Sequence, residues 1–227
     1  MNERINVLDI HIDKLTAKES MMHFVELIQS EPLGVIELVT ADAIMQMDEV
    51  PGLKEDVGMF ELVLAGDVMI LESADVTEKQ YLQETKKQTF LKMLLRYLHK
   101  NHKRIYLLVE SEEEGEKFCD FLLHYYRGTQ VGGMAKVSAE NRADDMIVNA
   151  INGADIDCII SIMSSPLQEE FVIKNRNFMN ARVWLGIGKE VIPMNEAGIL
   201  QNRFTQFVIK KLLKKEIEKR KKPYQNL

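Results

Sequence analysis

Two cysteines in 227 residues are too few for a disulfide framework, and neither Cys119 nor Cys158 sits in a Cys-x-x-Cys pair or beside clustered histidines. Both read as buried structural thiols of a reducing compartment. The histidines (His11, His23, His99, His102, His124) are scattered without ligand spacing, so no metal site is expected. No apolar run approaches the ~20 residues that a membrane span needs. The longest are strand-sized, such as Cys158-Ile159-Ile160 and Val183-Trp184-Leu185. Charge appears early, at Glu3, Arg4 and Asp9, with no apolar stretch of a signal peptide, so a cytoplasmic location is expected. No Gly-x-Gly-x-x-Gly follows a strand-like segment, which argues against a dinucleotide-binding oxidoreductase.

What is present is ordinary globular composition, 46% apolar and 28% charged, with an uneven charge distribution. Between Arg203 and Pro223 nine Lys or Arg face two Glu, a local balance of +7 in a chain of net charge −6; the remainder carries −13. An acidic body with a basic tail argues against nucleic-acid binding, which favours a basic face on the folded core. It points to a tail that meets something anionic.

Along the chain, strand-like and helix-like segments alternate. Ile5–Ile12 reads as an opening strand, and Thr16 with Glu19 forms a capping box for a helix to about Ser30. Gly34–Thr40 reads as a central strand, followed by a helix from about Asp42 that stops at Pro51-Gly52. Leu62–Leu64 is a strand ending in Ala65-Gly66-Asp67. Thr77 to about Asn101 reads as one long helix, and Arg104–Val109 as a strand with a Ser111-capped helix after it. Val131–Val137 is a strand weakened by Gly132-Gly133, and Ser138 caps a helix to about Asn152. Asp157–Ile162 and Arg182–Ile187 are the last strands. This alternation predicts an α/β, Rossmann-like, mostly parallel sheet with helices on both faces. Residues 1–198 form that domain, and a basic amphipathic helical appendage occupies 199–227.

In such sheets ligands bind at the carboxyl ends of strands, beside helix N-termini. Four turns qualify. Thr40-Ala41-Asp42 offers a hydroxyl and a carboxylate to a sugar or phosphate, or simply caps its helix. Ala65-Gly66-Asp67 presents a carboxylate able to act as a base, or only a turn residue. Glu110-Ser111 lacks glycine, carries heavy negative charge and reads as a solvated helix start. Ser164-Ser165-Pro166-Leu167-Gln168-Glu169 offers free amides and a helix dipole to a phosphate; an N-cap at Ser165 with Pro166 at the first helical position explains the same residues. In the tail, Phe204, Phe207, Val208, Leu212 and Ile217 alternate with Lys210, Lys211, Lys214 and Lys215. Such a helix lies on an anionic leaflet or packs on the domain; both readings stay open.

Taken in order, these pieces resemble the WecG/TagA/CpsF family of glycosyltransferases. Val39-Thr40-Ala41-Asp42-Ala43 stands where that family has a T-x-N motif, and Phe60 to Asp67 where it has A-D-L-V-L-P-D-G. Ser165-Pro166-Leu167-Gln168-Glu169 matches S-P-K-Q-E, with Asn175-Arg176 in the helix that follows, and Val183–Gly188 resembles an L-x-G-V-G segment. The resemblance implies an inverting transfer of N-acetylmannosamine, or a related sugar, from UDP to a polyprenyl-pyrophosphate-linked acceptor. It implies no metal or other cofactor, and a basic C-terminal appendage that approaches the inner face of the membrane through Arg203, Lys210, Lys211, Lys214 and Lys215. Thr40 and Gln168 match active-site positions, with Asp42, Gly66, Ser165 and Glu169 beside them as substrate-binding residues. The proposed base aligns with Gly66, and the carboxylate stands one residue on, at Asp67. Glycines expected after the Arg104–Val109 strand are replaced by Glu110 and Ser111, those before Ser165 by Met163 and Ser164, and a later one by Lys189. These changes predict weaker diphosphate binding and motivate an alternative, a catalytically inactive relative that scaffolds a membrane glycan-synthesis complex. A homo-oligomer is left open.

Overall fold

The computed structural model describes residues 3–140, 142–189 and 211–219. Its centre is a six-stranded sheet in the order β4-β3-β8-β7-β5-β6. The strands are β3 (Gly34–Val39), β4 (Leu62–Ala65), β5 (Arg104–Val109), β6 (Gln130–Lys136), β7 (Cys158–Ile162) and β8 (Val183–Gly186), and every pairing is parallel. The predicted α/β architecture is therefore the observed one.

Side chains alternate strictly across this sheet. Val35, Val39, Tyr106, Leu108, Ile159 and Trp184 enter one core; Ile36, Leu38, Ile105, Leu107, Ile160 and Leu185 enter the other. The first core is covered by helices α2 (Ala41–Met47), α3 (Leu53–Val57), α8 (Asp144–Asn152) and α9 (Leu167–Asn175). The second is covered by α1 (Ala17–Leu27), α6 (Thr89–Lys100) and α7 (Glu112–Tyr125). Sheets buried on both faces need such continuous apolar strands.

The predicted opening strand is instead a hairpin, β1 (Arg4–Val7) against β2 (Ile10–Asp13), because Leu8 and Asp9 both adopt positive φ (49° and 72°) and reverse the chain. The helix expected over Thr77–Asn101 is two, α5 (Lys79–Lys86) and α6, divided at Gln88 with φ 50°. A short helix unforeseen from sequence, α4 (Val68–Ser73), follows β4. The capping box at Thr16 and Glu19 is present as expected. Ser138 bonds the Glu140 amide in a turn, and α8 starts later, at Asp144.

Both sheet edges are modified. On β4 the outward Val63 amide donates to the Asp13 carboxylate of β2 (3.1 Å). On β6 the register slips between Ile105 and Tyr106, a bulge at Gly132.

The helix over 211–219, α10, places Leu213 in the same core as Trp184, with Ile217 packed against it. Lys211, Lys214 and Lys215 are exposed, and so is Leu212, which the sequence pattern had put on the apolar side. Arg203, Lys210, Phe204, Phe207, Val208 and the 198/199 boundary lie outside the described residues. No described helix is long and apolar enough to cross a membrane.

Candidate functional site

The chain leaves β3 towards β4 and leaves β5 towards β6, in opposite directions, so a crevice opens at the carboxyl ends between them. The turns after β3, β7 and β8 line this crevice. Around one small cavity stand Glu37, Thr40, Gln46, Ser165, Gln168 and Glu169, with Gly188 at the side. It has room for about one water molecule.

Thr40 is the N-cap of α2: its Oγ1 accepts the Ala43 amide (3.2 Å), since its extended backbone (φ −98°) turns the hydroxyl onto the first helical turn. Asp42, on that turn, accepts from the Gln46 side chain (2.6 Å), and burial raises its carboxyl above the usual value. Asp67 is the N-cap of α4. Its Oδ1 accepts the Ile70 amide (3.1 Å) and its Oδ2 the Ala41 amide (2.8 Å), so one carboxylate ties the turn after β4 to the helix that Thr40 caps. Burial pushes Asp67 up, partly offset by those amides. Gly66 sits where a Cβ would lie 3.0 Å from the Leu38 carbonyl and 3.1 Å from that of Val39, so a side chain at 66 would crowd β3. Gly66 faces a separate cleft between β3, β4, α1 and α6; Asp67 lines neither space.

The turn after β7 departs from expectation. Ser165 does not cap α9: Pro166 is the cap residue, the Gln168 amide bonds the Ser164 carbonyl (3.1 Å), and the Ser165 hydroxyl is buried without a hydrogen-bond partner. Gln168 does not cap either. Its Nε2 donates to Glu37 Oε1, and its Oε1 accepts long bonds from the Met163 amide (3.5 Å) and the Gly188 amide (3.4 Å). One carboxamide thus clasps the ends of β3, β7 and β8.

Glu37 is the functional candidate that sequence reading missed. Its signal was a single carboxylate inside the otherwise apolar run of β3, costly to bury unless used. It pairs in register with Gly186, beyond which stands Ser161. The missing side chain at 186 leaves the space that the Glu37 carboxyl fills. Burial, followed by the nearby Glu169 charge, raises Glu37 well above the carboxylate range, against its bond to Gln168. The Trp184 indole near it offsets a little more without completing a hydrogen bond of normal geometry.

Glu110 is not the solvated helix start expected. Its Oε1 accepts the Ser164 amide (2.6 Å) and the Ser164 hydroxyl (2.5 Å), and its Oε2 pairs with Lys189. Burial acts to raise Glu110, but Lys189 and Ser164 outweigh it and hold the carboxyl below its usual value. A carboxylate neutralised by its own lysine thus lies in front of α9, where backbone amides suit an anion. Both thiols, Cys158 buried and Cys119 partly so, are raised by burial, which disfavours the nucleophilic thiolate. Among the described residues no group of three or more His, Cys, Asp or Glu is placed to hold a metal ion.

A wholly parallel six-stranded sheet covered by helices on both faces, with its strand order reversing at a switch point, defines an open, Rossmann-like α/β protein. A family model extends that class to a family. The chain belongs to the glycosyl transferase WecG/TagA/CpsF family, whose model matches residues 5–191. No curated protein matches the chain.

Proposed function

We propose that the protein transfers N-acetylmannosamine, or a related sugar, from a UDP-sugar to a polyprenyl-pyrophosphate-linked acceptor in surface polysaccharide or teichoic acid synthesis. The observation that carries this reading is the gathering of Thr40, Ser165, Gln168 and Glu169 on one cavity, with Asp67 bonded to the helix that Thr40 caps. The acceptor hydroxyl oxygen attacks the anomeric carbon, its proton passes to Asp67, and UDP departs with the electron pair of the broken bond. Burial raises Asp67 toward the range where a base is effective. Its oxygens accept from the Ala41 and Ile70 amides, with the Met69 amide also acting on it, so three donors leave acceptor capacity on the carboxylate for that proton. Thr40 and Asp42 position sugar hydroxyls, Gly66 allows close backbone approach, and the α9 amides with Gln168 face the donor phosphates. Lys211, Lys214 and Lys215, with Arg203 and Lys210, meet the anionic inner leaflet.

The test is calorimetric titration with UDP and UDP-sugars, together with transfer to a lipid-linked acceptor, for the wild type and Asp67→Asn. Binding should survive in the variant while transfer falls by about 10²–10⁴-fold. No UDP binding, with any transfer untouched by Asp67→Asn, refutes it.

A second reading, an inactive relative that scaffolds a membrane glycan-synthesis complex, is favoured by Glu110. Its carboxylate already takes the Ser164 amide and Lys189 where a phosphate would lie. Under this reading the wild type ignores UDP, and Glu110→Gln does not restore transfer.

A further inference from the structure

We propose that the groove between α6 and α7 binds a nucleoside diphosphate, at a site separate from the carboxyl-end crevice. The phosphates meet Lys92, Arg96 and Lys100, and the base stacks on Tyr125. This site does not depend on the transferase reading.

The groove measures about 460 Å³, within the ~300–1,000 Å³ common for small-molecule sites. Lys100 and Tyr125 lead into β5 and β6, so the groove reaches the amino ends of the strands, opposite the crevice. One wall is α6. There Lys92, Arg96 and Lys100 recur every fourth residue and stand in a row, about 6 Å apart along the helix axis. All three are exposed, none has an ion-pair partner among the described residues, and no carboxylate lines the groove. His99 and Lys100 in the last turn answer the α6 dipole, but Lys92 stands near the helix start, where that dipole disfavours a cation. Helix-end electrostatics therefore explains only part of the row.

The other wall is aromatic. Phe121 packs against Tyr125 and Tyr126 at centroid distances of 5.1 Å and 5.8 Å, and against Phe118, fully buried in the core. These contacts fix the wall, while Tyr125 stays 64% exposed. Burial raises the Tyr126 phenol and the Arg96 charge acts against it, so cation and ring are neighbours. His99 accepts the Gly128 amide at Nδ1 (2.7 Å), which leaves the N–H on Nε2, a donor without a partner among the described residues. Cations suit phosphate oxygens, and an exposed aromatic ring is a platform for a base. A long polyanion fits poorly, because the row spans only about 12 Å and the body outside the basic tail carries −13. A membrane fits poorly too. The groove lies over the sheet face that holds Phe118 and Leu98, whereas α10, with its exposed lysines, packs on the face of Trp184. A compact anion with a flat ring satisfies both walls.

The test is calorimetric titration of the full chain at low salt with ADP, UDP and inorganic pyrophosphate. ADP and UDP should bind this groove with similar affinity, since stacking tolerates any base. Arg96→Gln should weaken both by about ten- to hundredfold, the effect of losing a charge-assisted hydrogen bond. Tyr125→Ala should weaken both by about five- to hundredfold. Pyrophosphate, without a ring, should bind more weakly than ADP and ignore Tyr125→Ala. Arg96 and Tyr125 are exposed, so both variants should fold, and circular dichroism checks this. UDP bound by the wild type and by Asp67→Asn but lost in Arg96→Gln belongs to the groove and not to the crevice. UDP bound equally by wild type and Arg96→Gln, with ADP ignored, belongs to the crevice and overturns the groove site. No nucleotide binding at all, or pyrophosphate bound as tightly as ADP, also overturns it. So does an Arg96→Gln variant that loses anionic-vesicle binding or self-association while its nucleotide binding is unchanged.

Discussion

Replacing Gly186 with alanine tests the packing of the crevice floor. A methyl there would fall on the Glu37 carboxyl, 2.5 Å from its Cδ and closer still to both oxygens. The carboxyl is fully buried and bonded to Gln168, so it cannot swing into solvent. Overpacking of a tight interior costs about 1–3 kcal/mol, and loss of the Glu37–Gln168 bond about 1–3 kcal/mol more. Relief of glycine's backbone entropy returns roughly 0.5–1 kcal/mol. The net expectation is about 2–4 kcal/mol of destabilisation, a large share of the ~5–15 kcal/mol typical of a domain. Urea unfolding followed by Trp184 fluorescence and by circular dichroism measures it. The distinguishing arm is the double variant Glu37→Ala with Gly186→Ala. With the carboxyl gone the methyl fits, so the two changes should be sub-additive by more than about 1 kcal/mol. Additive costs, or a Gly186→Ala protein within ~0.5 kcal/mol of wild type, would refute the reasoning.

Other outcomes follow from single contacts. Glu110, held below the carboxylate range, contributes stability that is present above its unfolded value and lost as pH falls through the folded one. Lys189→Met should therefore lower stability at pH 7 by about 1 kcal/mol and reduce the difference from wild type as the medium is acidified, read from denaturant midpoints across a pH series. Leu213→Ala should cost about 2–4 kcal/mol, because the side chain is buried in the Trp184 core, and thermal unfolding reads this. Changing Lys211, Lys214 and Lys215 together to glutamine should leave that stability unchanged while weakening binding to anionic vesicles by about 3 kcal/mol, close to 1 kcal/mol per cation. Unaltered vesicle binding would remove the membrane role from this helix.

Much of the fold could be read from periodicity, since strands buried on both faces must be apolar throughout and their helices carry caps such as Thr16 with Glu19. The failures share a cause. Leu8-Asp9 and Gln88 adopt left-handed backbone without the glycine or asparagine that would announce it, so a hairpin and a helix break went unseen. Ser165 and Gln168 carry a textual N-cap pattern, but tertiary partners claim Gln168 and burial strands the Ser165 hydroxyl. Glu110 and Lys189 are 79 positions apart, and Glu37 and Gln168 are 131 apart, so no local pattern could pair them. The cap at Thr40 could be read because helix-capping chemistry is local; Asp67 read only as a base or a turn residue, since the helix that it caps had no signal in the sequence.

The treatment of the two outer strands governs how copies of this chain can meet. An incoming β-segment at β4 would first have to evict the Asp13 carboxylate from the Val63 amide, and one at β6 would meet a backbone thrown out of step at Gly132. Filament-like growth through continuous main-chain pairing is thereby discouraged at both ends.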